Sequence, residues 1–343
     1  MSFERSQRRS FLKRSAAIGT VGLSGLAGCS SISSVTGGGT PELGLAFTVP
    51  IENIASLFAI PEIQDQLSNL GSEYELNVTR DQSTPDSLNK MAAGDADMAL
   101  LSTVSFASAV LREAVPGNIK MIAVDVWDAH PEWFGISVFS GPDSGITNPE
   151  DLQGKTLGVN AKGTGVHAIY AKQFQQIGLN LENDAEIVEL PFPTFVSAVK
   201  EGRIDAGIFP ALFSLQARSE GFNNVFTSHD TWDEEYPFAY VVASNNAIDE
   251  KSDAISAWGE DFREMVNYCY DNRDEVVSLA AEHFELPEPL VDGFFLTEND
   301  YYRSLPIGMD RLQYSMDEMV DLGFVEESFD VTEYATNEFV PSN

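Results

Sequence analysis

The chain has 343 residues, 43% of them hydrophobic, and carries 53 acidic against 20 basic side chains, a net charge of −33. This composition is typical of a globular protein with a sizeable core, and the lack of clustered Lys and Arg argues against nucleic-acid binding. Without the first 28 residues, the chain has 15 basic and 52 acidic residues. Repulsion among so many acidic side chains destabilises a folded protein, but molar salt, which shortens the Debye length to about 3 Å, screens it. We therefore expect a salt-loving host.

The N-terminus predicts an export signal. Arg8-Arg9 is followed by "SFLK", which is typical of a twin-arginine signal. The weakly apolar run that ends at Gly28 is too short to cross a bilayer, which takes about 20 residues. The tetrad "LAGC" resembles a lipoprotein box and predicts Cys29 as the lipidated residue. We therefore expect a signal over residues 1–28, a flexible tether over 29–42, and a protein anchored on the outer face of the cytoplasmic membrane.

After the tether, short apolar runs alternate with polar loops and with helical spacing. The first five predicted elements are a strand over Leu43–Thr48, a helix over Ile51–Ser68 with an interruption at Pro61, a strand over Tyr74–Arg80, a helix over Ser87–Gly94 and a strand over Ala96–Ser102. The next five are a strand over Lys155–Asn160, a helix over Gly165–Gly178, a strand over Ala185–Pro191, a helix over Thr194–Gly202 and a strand over Ile204–Phe209. This alternation predicts an α/β fold with mostly parallel sheets.

The two halves repeat one pattern. In "MAAGDADMAL" and "AVKEGRIDAGIF" a helix ends at glycine and an aspartate follows three residues later, before an apolar strand. Gly94 and Asp97 thus match Gly202 and Asp205, 108 positions further on. The repeat predicts two similar lobes, in which the aspartates hold turns at strand starts rather than act as catalytic acids.

The chain after Asn245 has helical spacing, and we expect these helices to return to the first lobe. Cys269 falls on the apolar stripe of one of them, which predicts a buried and inert thiol. With Cys29 lipidated, no disulfide is available.

Several motifs carry a family resemblance. "ITNPEDLQGKTLGVNAKGTGVHAIYAKQFQQIGLN", "VELPFPTFVSAVKEGRIDAGIFPALFSLQA" and "MAAGDADMALLS" resemble segments of ABC-transporter solute-binding proteins of the nitrate, sulfonate, taurine and pyrimidine-precursor group, which are type 2 periplasmic binding proteins. The resemblance covers approximately residues 43–330. It implies a small-molecule ligand in a cleft between two lobes, a membrane permease as partner, a monomer, no cofactor and no enzymatic activity.

The resemblance also implies two crossovers between the lobes. We place them near Ala129–Trp133 and near Val242–Asn246. The first lobe then comprises residues 43–129 and 245–343, and the second comprises 130–244. In open α/β sheets ligands bind beyond the carboxyl ends of the strands, where helix N-termini offer free N–H groups.

Side chains at these strand ends and in the first connector are the candidate ligand-binding residues. They are Thr48, Ser102, Thr103, Trp127, His130, Lys162, Thr164, His167 and Phe209. Thr164 is equally compatible with a role as a helix cap, and Lys162 and His167 with solvated positions. Aromatic residues near the cleft would favour a planar or apolar ligand over a bare anion.

Three other kinds of site are disfavoured. In "AKGTG" the lysine precedes the glycines, so the loop is not a P-loop, and it lacks the third glycine of a dinucleotide fingerprint. The four histidines are far apart and predict no metal site.

Two alternative functions remain open. A ligand sensor for a membrane partner would have the same sequence features. An enzyme on the same fold, such as a pyrimidine-precursor synthase or a menaquinone-pathway lyase, is disfavoured by the export signal, and a synthase also by the lack of a cysteine-rich motif.

Overall fold

The computed structural model describes residues 39–129, 135–296 and 305–341. The predicted signal, Cys29, His130 and Trp133 lie outside the described residues. The strands within them are β1 (Glu42–Phe47), β2 (Glu75–Arg80), β3 (Met98–Ser102), β4 (Ile119–Asp128), β5 (Ser137–Ser140), β6 (Thr156–Val159), β7 (Glu186–Glu189), β8 (Ala206–Phe209), β9 (Asn223–Thr227) and β10 (Tyr236–Ser244).

These strands form two five-stranded sheets with the same arrangement. The first has the order β2-β1-β3-β10-β4 and the second has the order β7-β6-β8-β5-β9. In each sheet the first three strands are parallel, and the last two run antiparallel to their neighbours. The fourth strand of each sheet, β10 or β5, is the one that the chain enters on arriving from the other sheet. The predicted α/β fold with two similar lobes is confirmed.

The crossovers follow from the sheet assignments. The chain leaves the first sheet after Asp128 and joins the second at Ser137, in the region where the first crossover is predicted. It returns between the end of β9 at Thr227 and Tyr236, because β10 pairs with β3 and β4 along its length. The predicted position near Val242–Asn246 is therefore several residues too late. The apolar sequence of a buried strand does not indicate which of the two sheets the strand joins.

The repeated Gly-x-x-Asp pattern has one structural role in both lobes. Asp97 Oδ2 accepts a hydrogen bond from Gly44 N at 2.9 Å, and Asp205 Oδ2 accepts one from Thr156 N at 2.8 Å. Each aspartate thus connects the start of the third strand in the sheet order, β3 or β8, to the first half of the second, β1 or β6. Both preceding glycines have positive φ, as a helix C-terminus of this kind requires.

Helices cover both sheets. The α-helices of the described residues are α1 (Pro61–Gln64), α2 (Thr84–Ala93), α3 (Thr103–Leu111), α4 (Gly165–Gln176), α5 (Leu181–Asp184), α6 (Phe195–Lys200), α7 (Ala211–Ser219), α8 (Ser228–Thr231), α9 (Asn245–Asp271), α10 (Arg273–His283), α11 (Glu288–Asp292) and α12 (Met309–Asp321). Short 3-10 helices span Ile54–Ala59, Pro149–Leu152, Phe192–Thr194 and Val331–Glu333. No helix in the part of the chain that the structure describes is both long enough and apolar enough to cross a membrane.

The predicted helix over Ile51–Ser68 is largely wrong. Ile51 has a φ of 68°, and the Asn53 side chain accepts hydrogen bonds from Val49 N at 2.8 Å and from the Thr48 hydroxyl at 3.1 Å. This turn is followed by the 3-10 helix over Ile54–Ala59, and the short α1 begins at Pro61. Local side-chain hydrogen bonds here compete with helix formation.

The late helices α9 and α12 pack on β10 of the first sheet, whereas α11 contacts α7 of the second lobe. Trp258 of α9 stacks on Phe58, with ring centroids 5.7 Å apart. The C-terminal segment runs along β4, where Met121 N donates to Tyr334 O at 2.8 Å. Cys269 is fully buried, as predicted, and burial raises the pKa of its thiol to about 12, which disfavours the reactive thiolate.

Candidate functional site

A small cavity lies between the two sheets at the carboxyl ends of their parallel strands. Its volume is about 40 Å³, room for roughly two or three water molecules. The first lobe lines it with Thr48, Val49, Glu52, Asn53, Thr84, Leu100, Ser102, Val126, Phe238 and Ala239. The second lobe lines it with Asn160, Thr164, Gly165, Val166, Phe192 and Pro210. The position is that of ligands in open α/β sheets, so this cavity is the candidate binding site.

The lobes touch at the start of α4. Gly165 N donates a hydrogen bond to Ser102 Oγ at 3.0 Å, across the cleft. A Cβ at position 165 would lie 2.6 Å from the Phe238 ring and 3.2 Å from Ser102 Cβ. Only glycine therefore permits this approach, and the first N–H of α4 already has an acceptor.

A second contact joins Glu52 of the first lobe to α7 of the second. The Glu52 carboxyl is buried and lies close enough to the backbone N–H groups of Leu212 and Ala211 for them to lower its pKa. Burial raises its pKa well above the ordinary value, Asp128 and Asp125 raise it further by repulsion, and the two N–H groups oppose the shift. A carboxyl group of the protein thus occupies the N-terminus of α7, where an anion would otherwise be favoured.

Asp125 holds the turn beside Glu52. It accepts hydrogen bonds from Ala55 N at 2.9 Å and from Asn53 Nδ2 at 3.0 Å. Burial outweighs these bonds and raises the pKa of Asp125 to about 7.

Asp128 joins the two crossovers. Its Oδ1 accepts from Gly135 N and from the Ser228 hydroxyl, both at 2.7 Å. Burial raises its pKa to about 6. Among the described residues no group of three His, Cys, Asp or Glu side chains is arranged to hold a metal ion.

Three of the predicted ligand-binding residues line the cavity, namely Thr48, Ser102 and Thr164. The Ser102 hydroxyl lies 3.2 Å from that of Thr84, which in turn lies 2.7 Å from the Ser105 hydroxyl. The Thr164 hydroxyl donates to Ala161 O at 2.9 Å, within its own loop. Their contact with a ligand stays a prediction.

Three other candidates are buried and do not line the cavity. Phe209 lies in the core of the second lobe, 5.6 Å from Phe139 and 5.4 Å from Phe195 between ring centroids. Thr103 is buried beside the Phe238 carbonyl, and Trp127 lies against Gly308. A strand buried on both faces has no alternation in its sequence, so the direction of the Phe209 side chain could not be predicted.

The remaining two candidates are Lys162, in the loop before α4, and His167, in the first turn of α4. The Lys162 side chain is exposed, while its backbone N donates to Glu189 Oε1 at 2.7 Å. His167 accepts from Gly163 N at 3.1 Å through Nδ1 and packs edge-on to Phe324. Burial, and then repulsion by Lys162, lowers the pKa of His167 to about 4. Neither side chain lines the cavity.

Four residues that line the cavity were not among the sequence-predicted candidates, namely Glu52, Asn53, Thr84 and Phe238. Glu52 and Asn53 form a polar pair in the apolar stretch "TVPIENIASLF", and this was the available signal. The signal was lost because the segment was predicted to be a regular helix.

A larger surface pocket of about 300 Å³, called the mouth below, adjoins the cavity. Thr48, Val49 and Phe192 line both spaces. Arg80 and Asp81 lie in the mouth only, and Arg80 Nε donates to Thr48 O at 3.4 Å. The acidic residue beside it, Asp81, pairs with Lys90 at 2.6 Å.

Comparisons with known proteins agree with this architecture. The profile of the family described as NMT1/THI5 like matches residues 73–276, more than half of the chain. A search of curated proteins finds no match.

Three solved structures illustrate the similarity. The periplasmic aliphatic sulphonate binding protein of Escherichia coli has a TM-score of 0.66 at 15% identity, over 85% of this chain and 91% of that one. The alkanesulfonate-binding protein of Xanthomonas axonopodis pv. citri, bound to MOPS, has 0.70 at 13%, over 86% and 98%. The periplasmic nitrate-binding protein of Synechocystis PCC 6803 has 0.68 at 14%, over 88% and 87%. At these identities the likeness establishes the periplasmic-binding-protein fold.

Proposed function

Because the chain belongs to the NMT1/THI5-like family, we propose that it is the extracytoplasmic solute-binding component of an ABC importer. It captures a small organic solute or an oxyanion between its lobes and delivers that solute to the permease. The observation that carries the proposal is the cavity at the carboxyl ends of both sheets, to which each lobe contributes polar side chains. Two lobes joined by two short crossovers are suited to hinge closure around a ligand.

The first test is a thermal-shift screen in molar salt. Sulfonates, nitrate, bicarbonate, pyrimidines and flavins are the compounds to try, and a ligand that binds only the native state raises the unfolding midpoint. The proposal expects at least one compound to shift the midpoint and to be recovered unchanged. Chemical conversion of a bound compound would indicate an enzyme instead.

We further propose that the protein leaves the cell by the twin-arginine route and acts as a monomer, anchored through lipid on Cys29. A single acyl chain gives only marginal membrane binding, so the anchor needs more than one chain. In a salt-loving host, Cys29→Ser should move the protein from the membrane fraction to the medium. An Arg8-Arg9→Lys-Lys variant should instead keep the protein inside the cell. Retention of Cys29→Ser on the membrane would contradict the lipid anchor.

A further inference from the structure

Three helix starts near this cavity already hold groups of the protein. The Glu52 carboxyl lies close enough to the Ala211 and Leu212 N–H groups of α7 for them to lower its pKa, and Ser102 Oγ accepts from the first amide of α4. Asp125 accepts from the Ala55 amide in the 3-10 helix that follows β1. An oxyanion at any of these three positions would have to displace a group of the protein, and two of the three groups are carboxyl groups.

The charge around the cavity is also of one sign. Among the described residues that line it, none is Lys or Arg, whereas Glu52 lines it directly. Asp125 and Asp128 are buried close enough to raise the pKa of Glu52 by repulsion. Arg80, the one Lys or Arg among the described residues of the mouth, does not line the inner cavity and shares the mouth with Asp81. The raised pKa values of these three acids show that the site disfavours negative charge, so a bound anion would be disfavoured as well, whereas a bound cation would stabilise the ionised carboxylates.

The apolar part of the lining suits a flat cation. Phe192 and Phe238 line the cavity from opposite lobes, and both are buried. Aromatic rings attract a cation over their faces, and a carboxylate accepts paired N–H donors from a planar group. We propose that the solute is a small planar organic cation of the guanidinium or amidinium class, held by Glu52 between Phe192 and Phe238. This inference rests on the proposed function, namely that the cavity binds a solute.

The test uses probes that match in shape and differ in charge. Guanidinium and nitrate are both small trigonal planes, and acetamidinium and acetate are isosteric. Calorimetric titration at constant molar ionic strength should give an affinity at least about tenfold higher for the cation of each pair. Equal or tighter binding of nitrate or acetate overturns the proposal, and so does the absence of binding by all four probes.

Variants then locate the preference at Glu52. Glu52→Gln keeps an acceptor for α7 and removes the charge, so cation affinity should fall about tenfold while nitrate affinity does not fall. Glu73→Gln, which changes an exposed acid elsewhere on the first lobe, is the matched control and should change neither. Glu52→Asp, which keeps the charge, should retain the preference for cations even if Glu52→Gln unfolds. A cation affinity that is unchanged in folded Glu52→Gln overturns the proposal.

Failure of this inference can be distinguished from failure of the proposed function. Binding of an anion without turnover overturns the charge preference and leaves solute capture intact. Turnover of a bound guanidinium or amidinium compound supports the charge preference and overturns the binding-protein function.

Discussion

The two lobes share a backbone plan and differ in what they bring to the cleft. Both have the same strand order and the same Gly-x-x-Asp connection at the start of the third strand. The first lobe contributes the acidic groups at the cleft, Glu52 and Asp125, whereas the second contributes the helix N-termini of α4 and α7. The shared plan therefore places the site, and the side chains that are not shared decide its chemistry.

The buried acids of the first lobe should make stability depend on pH. The pKa values of Asp125 and Asp128, about 7 and about 6, lie above the ordinary value of 3.8, so the folded state holds protons that the unfolded state releases. The stability that these two acids add to the folded state is fully present below about pH 4 and is lost as the pH rises through about 7. For Asp125 the loss is of the order of 4 kcal/mol.

Urea unfolding in molar salt between about pH 5 and pH 8 measures this effect. Asp125→Asn should flatten the decline in unfolding free energy with pH. Asp205→Asn, which changes an acid of the second lobe that is not in the cleft, should leave it as steep as in the wild type. A wild-type slope in Asp125→Asn would show that Asp125 is not a source of the pH dependence.

The approach of the lobes should be sensitive to one methyl group. Gly165→Ala would place a Cβ 2.6 Å from the Phe238 ring, so the lobes must separate or the ring must move. We expect ligand affinity to fall about 10- to 100-fold, or about 1.4–3 kcal/mol. Isothermal titration together with small-angle scattering of the ligand-loaded protein would measure the loss of affinity and the separation of the lobes.

Gly158→Ala is the matched control within the second lobe. Its Cβ would lie 2.7 Å from Ile204 Cδ1, inside the core of that lobe. This variant should lower the unfolding midpoint and leave affinity nearly unchanged in the folded protein. If both variants weaken binding equally, the contact at Gly165 has no special role in closure.

The sequence predicted those features that depend on local pattern. The glycines that end helices, the repeated aspartates and the strands around them follow from spacing, and they are confirmed at Gly94, Asp97, Gly202 and Asp205. The features that it missed depend on contacts distant in sequence. The role of Glu52 depends on its position beside α7, which lies about 160 residues away along the chain. The spacing of hydrophobic residues does not predict a contact between such distant segments.

The two repeated aspartates, Asp97 and Asp205, should contribute differently to the free energy of unfolding. Asp97 also pairs with Lys251 at 2.8 Å in a partly buried site, whereas Asp205 bonds the Thr156 amide in an exposed one. Asp97→Ala should cost about 1–3 kcal/mol of unfolding free energy and Asp205→Ala about 0.5–1 kcal/mol. Denaturant titration of the two variants under the same conditions measures the difference, and a larger loss in Asp205→Ala would contradict this ranking.

The smallest effect is expected at Lys162, although its loop begins the helix that faces the cavity. Its side chain is exposed, and the loop is held by the Lys162 backbone N on Glu189 and by the Gly163 N on His167. Lys162→Ala should therefore change ligand affinity by less than about twofold. Because repulsion by Lys162 helps to lower the pKa of His167 to about 4, the same variant should raise that pKa, which NMR titration of the imidazole would detect. A raised His167 pKa with unchanged affinity would place the Lys162 charge on the outer side of the loop, whereas a tenfold loss of affinity would place it in the cleft and restore an anion as the simpler ligand.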